Sequence, residues 1–113
     1  MEKLRHKIIE LFGDQISFNR EFDSNASKLK EGMAEDLLTW CAHCRDNEEL
    51  GSVPARREFK DLYVFFRKIG SDVRVTLIKE QNKRFISISL QDHKGYDQTR
   101  QRLGYKKSSY YGS

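Results

Sequence analysis

The residues best suited to chemistry on a phosphate lie in the second half of the chain. Arg67, Lys68, Arg74, His93, Lys94 and Tyr96 follow one another there, with Lys60, Lys83, Arg84, Arg100 and Arg102 around them. Cleaving an RNA phosphodiester needs a base to deprotonate the 2′-hydroxyl, cations to hold the phosphorane, and an acid to protonate the leaving oxygen. Arginine suits the second task, because its planar fork binds two phosphate oxygens at once. His93, Tyr96 and a lysine are the candidates for moving protons. Tyrosines and phenylalanines interleaved with the cations offer faces on which unpaired bases stack. The competing reading is a plain solvated surface, since charged side chains are common on any exposed strand.

The charge distribution favours the first reading. The 113 residues carry a net charge of +4, but unevenly. Residues 1–54 hold seven Lys/Arg against eleven Asp/Glu, and residues 55–113 hold fourteen against six. An asymmetry of this kind points to a polyanionic partner for one face. No stretch approaches the ~20 apolar residues of a membrane span, so no membrane partner is expected. The start, MEKLRHKIIELFGD, reads as an amphipathic helix and not as a signal peptide. With two cysteines and no export signal, a cytoplasmic setting with reduced thiols is expected. No carboxylate pair, glycine-rich phosphate loop or nucleophile elbow stands out.

A second constellation is Trp40-Cys41-Ala42-His43-Cys44. It is similar to the dithiol site of thioredoxin-fold oxidoreductases, in which a helix N-terminus favours the thiolate of the first cysteine. Here the preceding residues, Ala34 to Thr39, are helical in pattern, which places Cys41 in mid-helix without that help. Cys41 and Cys44 at i, i+3 fit better as small apolar side chains facing a core beside Leu37 and Leu38. A zinc site from Cys41, His43 and Cys44 supplies three ligands where a structural site takes four, with His93 the only distant candidate. Neither a metal nor a cofactor is expected.

These residues need a scaffold. Leu4, Ile8, Leu11 and Phe12 recur at helical spacing up to Gly13. Gln15 to Phe18 alternates like a strand. Asn19 is a candidate cap for a helix carrying Phe22, Ala26 and Leu29, and after Gly32 a second helix carries Met33, Leu37, Leu38, Cys41 and Cys44. Residues 45–57 form a polar connection with Gly51 and Pro54. The period then becomes that of strands: Leu62–Phe66, Val73–Ile78 and Phe85–Leu90, with turns at Gly70-Ser71-Asp72 and Gln81-Asn82-Lys83. In the last strand Ile86, Ile88 and Leu90 alternate against Phe85, Ser87 and Ser89. The sum is an α+β domain over 1–113. A helical hairpin covers one face of a small antiparallel sheet in the order β-α-α-β-β-β. Residues 1–13 add an extra helix, His93–Tyr96 form a turn, and 104–113 are a loosely ordered basic tail.

The runs Ile16-Ser17-Phe18-Asn19-Arg20-Glu21-Phe22, Leu29-Lys30-Glu31-Gly32 and Arg45-Asp46-Asn47-Glu48-Glu49-Leu50 are arranged as in a known family. With Lys60-Asp61-Leu62-Tyr63, Gly70-Ser71-Asp72-Val73-Arg74-Val75 and the segment Ile86 to Lys94, the chain resembles the RelE/ParE superfamily of toxins across residues 15–100. That resemblance implies an endoribonuclease of a toxin–antitoxin module, cleaving mRNA on the ribosome. It also implies a cognate antitoxin whose acidic or amphipathic segment masks the basic sheet. By the same resemblance Arg74 matches the family's strand arginine. Arg67 or Lys68 matches a basic residue on the preceding strand, and His93 and Lys94 match the basic pair after the last strand. The family's later tyrosine slot holds Asp97 or Gln98, with Tyr96 displaced from it. The gyrase-inhibiting branch implies the alternative, a binding protein of the same fold without cleavage.

Overall fold

A computed structural model describes residues 2–105. The chain is α+β: among the described residues, four α-helices pack about a four-stranded mixed sheet of order β1-β4-β3-β2. Helix α1 (Glu2–Phe12) buries Leu4 and Ile8 one turn apart. It ends where Gly13 enters the left-handed region at φ 98°, its N–H reaching the carbonyl of Ile9. This helix is no appendage. Leu4 and Ile8 join Leu37, Cys41 and Cys44 of α3 (Glu31–Asp46) in the main core, so α1 and α3 together form the helical layer. The expected hairpin is correspondingly reduced. Its first arm, α2, spans only Phe22–Ala26, and Gly32 sits inside the first turn of α3 instead of separating two helices.

The sheet is mixed, not antiparallel throughout. Strand β1 (Ser17–Phe18) runs parallel to β4, pairing Ser17 with Ser87 and Phe18 with Ile88. The chain leaves the sheet after Phe18, and the Asn19 side chain takes over the pairing. Its amide donates to the carbonyl of Leu90 and accepts from the Leu90 N–H, both at 2.9 Å. Asn19 therefore replaces a strand residue; it caps no helix, since α2 follows Glu21 without a side-chain cap. Strands β2 (Leu62–Ile69), β3 (Val73–Glu80) and β4 (Phe85–Gln91) form the expected meander, turning at Gly70 and at Asn82, both with positive φ.

A bulge at Ile78/Lys79 corrects the facing of β4. Lys79 pairs with Phe85 and Ile78 with Ser87, so one extra residue lies between them. Phe85 then joins Ile88 and Leu90 in the core, while Ile86 is half-buried outside it. Phe12 and Phe65 pack against Phe85 with ring centroids 4.3 and 5.9 Å away. The inner face of the sheet is thus Phe65, Ile69, Val73, Val75, Leu77 and their β4 partners, sealed by α1 and α3.

A fourth helix follows where a turn was expected. Helix α4 spans His93–Leu103. Its N-cap is Asp92, whose carboxylate accepts from the Gly95 N–H at 2.8 Å, and its end is Gly104 at φ 98°. It crosses the outer face of the sheet, which the upstream helices leave open. Tyr105 is docked as well, its hydroxyl 2.9 Å from that of Ser52. The remainder of the expected tail, 106–113, lies outside the described residues. Among the described residues, no helix is long and apolar enough to cross a membrane.

Candidate nucleic-acid interface

Strand alternation and α4 together build the outer face. Lys68 pairs across strands with Arg74, Arg74 with Gln91, Phe66 with Thr76, and Thr76 with Ser89. These side chains therefore share the face away from α1 and α3. Helix α4 lies on them through Tyr96, Thr99 and Leu103, all buried. The Thr99 hydroxyl and the Gln91 amide exchange hydrogen bonds at 3.0 and 3.2 Å, tying helix to strand.

Arginine and aromatic side chains meet at the centre of this junction. The Arg100 guanidinium lies 4.5 Å from the centroid of Phe66, 5.3 Å from Tyr105 and 5.7 Å from Tyr96. Phe66 in turn makes edge contacts with both tyrosines, at 5.6 and 4.9 Å. Arg74 is only 6% exposed, and one of its amino groups donates to the carbonyl of Ser71 at 3.1 Å. Its Nε is buried without a hydrogen-bond partner, and so is Oγ1 of Thr76 two residues on. The Tyr96 hydroxyl is buried too, and Arg100 reaches it without the alignment of a full hydrogen bond. Burial pushes the Tyr96 phenol above its ordinary value, and the Arg100 and Arg74 cations pull it only part of the way back. Tyr96 is therefore a neutral phenol near pH 7, suited to donating a proton or hydrogen bond and unsuited to acting as a base.

At the start of α4 the arrangement is more open. His93 Nε2 lies 3.1 Å from Oδ2 of Asp97, one turn on. The imidazole is 46% exposed and the carboxylate 13%. The carboxylate sits beside Nε2, which makes Nδ1 the candidate acceptor of the ring. Lys94 stands beside this pair, and both line a shallow cleft of about 370 Å³. Lys94 and Gln98 also line an adjoining cleft of about 390 Å³, bounded across from them by Lys28, Ser24 and Asn25 of the α2 region.

The structure brings Lys68, Arg74, Tyr96 and Arg100 to one face, with His93 and Lys94 at the head of the helix that covers it. Arg67 is elsewhere. It points to the opposite face, where its Nη2 bridges Asp36 of α3 at 2.9 and 3.2 Å. Lys83 and Arg84 sit at the β3–β4 turn, and Lys60 lies beside that turn through its carbonyl bond to Gln81. That end of the sheet is remote from the turn between β2 and β3 that carries Ser71. Arg84 also lies 3.8 Å from Glu80. Arg102 is exposed on the last turn of α4.

Two contributors were not visible as such beforehand. Asp97 orients His93, a role signalled only by i, i+4 spacing on a helix that sequence patterning did not reveal. Tyr105 completes the ring cluster around Arg100, and only the docking of Gly104 and Tyr105 against the 52–56 segment places it there. Cys41 and Cys44 are buried in the core. Burial raises both thiols, Cys44 to about 12 and Cys41 further. His43 is exposed on another side of α3, so the three do not converge.

Compared with models of known families, with curated proteins and with solved structures, the chain matches none.

Proposed function

We propose that this chain is an RNA-binding, RelE-like endoribonuclease, acting on mRNA at the ribosome and restrained by an acidic antitoxin segment. The observation that carries the reading is the exposed His93 held by the mostly buried Asp97, beside Lys94 and in a cleft. In this scheme Nδ1 of His93 accepts the proton of the 2′-hydroxyl, and the freed oxygen attacks phosphorus. The P–O5′ bond breaks, leaving a 2′,3′-cyclic phosphate, and the departing 5′-oxygen takes a proton from solvent water, whose hydroxide is neutralised by the proton His93 has gained. Lys94 and Lys28 hold the phosphate oxygens, and no metal or cofactor is called upon. Arg100 and its rings form a platform beside the cleft, on which an unpaired base stacks. Arg74 and Tyr96 are buried while α4 is docked, and they support that platform from beneath.

The order strand, helices, three antiparallel strands and basic exit agrees with what the family resemblance implies. The second reading, a binding protein of the same fold without cleavage, is favoured by the burial of Arg74 and Tyr96 and by the structural use of Arg67. A translating extract separates the two. His93→Gln and Asp97→Asn should each lower messenger cleavage by about 10²-fold or more, the usual weight of general acid–base catalysis. Lys94→Ala should weaken RNA binding and flatten its salt dependence. Messenger left intact by the unaltered chain, with RNA still bound, selects the binding protein; intact messenger with no RNA bound rejects both.

A further inference from the structure

The helical layer carries a groove that the proposed chemistry leaves unused. It runs between α1 and α3 as two adjoining hollows of about 260 and 380 Å³, joined through Lys7 and Leu38. Its floor is apolar: Leu4, Leu29, Ala34 and Leu38 in one hollow, Leu11 and Ala42 in the other. Leu11, Leu29 and Leu38 are only half-buried. A concave apolar strip with a charged rim is the anatomy of a docking surface.

The rim indicates the occupant. Lys3 and Lys7 stand one turn apart on the α1 wall, and Glu31 and Glu35 one turn apart on the α3 wall. All four are exposed, and no ion pair among the described residues uses any of them. A partner seated here must be acidic along one edge and basic along the other. This chain already presents such a surface. A two-fold axis along the groove lays α1 of one protomer over α3 of its partner. Because the lysines and glutamates line the same hollow, that axis sets Lys3 and Lys7 opposite the partner's Glu31 and Glu35, and the reverse.

We infer that the α1–α3 face is a self-association surface, through which this chain forms a two-fold dimer. The interface buries the strip of leucines and pairs the rim charges twice over. Both copies of α4 and of the outer sheet face stay on the outside, so dimerisation and RNA contact do not compete. The rim pairs are solvent-exposed and the strip is short, which places the dimer among weak, reversible associations.

Sedimentation equilibrium on the full chain, from about 1 μM to about 1 mM, reads the association directly. The expected result is a monomer–dimer equilibrium that weakens with added salt. Lys7→Glu and Glu35→Lys, both at exposed positions and so compatible with folding, should each raise the dimer Kd about tenfold, the effect counting twice by symmetry. The double variant Lys7→Glu/Glu35→Lys should return the Kd to near its original value. Leu38→Lys should abolish the dimer, with circular dichroism checking that the fold survives. A chain that stays monomeric throughout overturns the inference. So does a dimer that neither charge reversal weakens, or one that the double variant fails to restore.

Discussion

Replacing Thr76 by valine should stabilise this protein, although Thr76 is a polar residue in the central strand pair. Its side chain is 1% exposed and its Oγ1 has no hydrogen-bond partner. A hydroxyl stripped of water without a replacement partner costs about 1–3 kcal/mol. Valine has the same branched shape and stays compatible with a strand, so it removes that penalty and adds a buried methyl worth up to about 0.8 kcal/mol. A net gain of about 1–2 kcal/mol follows, or a rise in Tm of roughly 3–8 °C for a domain of this size. Urea denaturation gives the check: the midpoint should rise while the slope stays constant, so that the change belongs to the native state. Tyr96→Phe provides a companion, with a smaller gain because Arg100 already stabilises the phenol oxygen in part. A loss of 1 kcal/mol or more in Thr76→Val would show that the hydroxyl is satisfied, and the picture of unpaired polar atoms held under α4 would fail. If these atoms are kept for function, the stabilised variants should also bind RNA less well, which a salt-controlled titration measures.

Other consequences follow from particular contacts. Asn19→Ala removes both bonds to the Leu90 backbone; Asn25 still serves the carbonyl, but the N–H is orphaned. A loss of about 1–3 kcal/mol is expected by chemical denaturation, and a neutral result would mean that water takes over the pairing. Gly104→Ala forces a side chain into the left-handed region and sets its Cβ 3.0 Å from the backbone nitrogen of Arg56. It should cost about 2 kcal/mol or more and detach Tyr105, seen as loss of protection in hydrogen exchange near the end of α4. Beside the raised phenols of Tyr96 and Tyr105, the two thiols weaken the fold at high pH. Their folded values lie above the unfolded ones, so their contribution is complete below the unfolded value near 9 and fades as pH climbs toward 12. Stability should fall across that window, and Cys41→Ala/Cys44→Ala should flatten the fall relative to its own neutral-pH value. Thiol reagents at neutral pH should label neither cysteine before unfolding.

The sequence by itself determined the class of the fold and the sites of the principal elements. Amphipathic spacing located α1 and α3, an aromatic and β-branched run located β2, alternation located β3 and β4, and short polar runs located the turns. These patterns are legible because a helix or strand with one buried face repeats its apolar residues at its own period. The charge split was equally plain, since composition needs no structure. Helix α4 escaped because its sheet-facing side is written in Tyr96, Thr99 and Leu103, too few apolar residues for a clear stripe. Its markers were the caps, Asp92 and Gly104.

Three matters only the tertiary structure decided, each for a physical reason. The bulge at Ile78/Lys79 reset which β4 side chains face the core, and a one-residue insertion leaves no mark on local periodicity. Parallel pairing of β1 with β4 joins residues some seventy positions apart, beyond the reach of local pattern. Most consequentially, Arg67 and Arg74 look equivalent as strand cations, yet they point to opposite faces. One ties the sheet to Asp36, while the other is buried on the outer face, close enough to Tyr96 for its charge to act on the phenol. Residue type and spacing identified the groups able to act on a phosphate; sheet register and helix docking decided which of them share a surface.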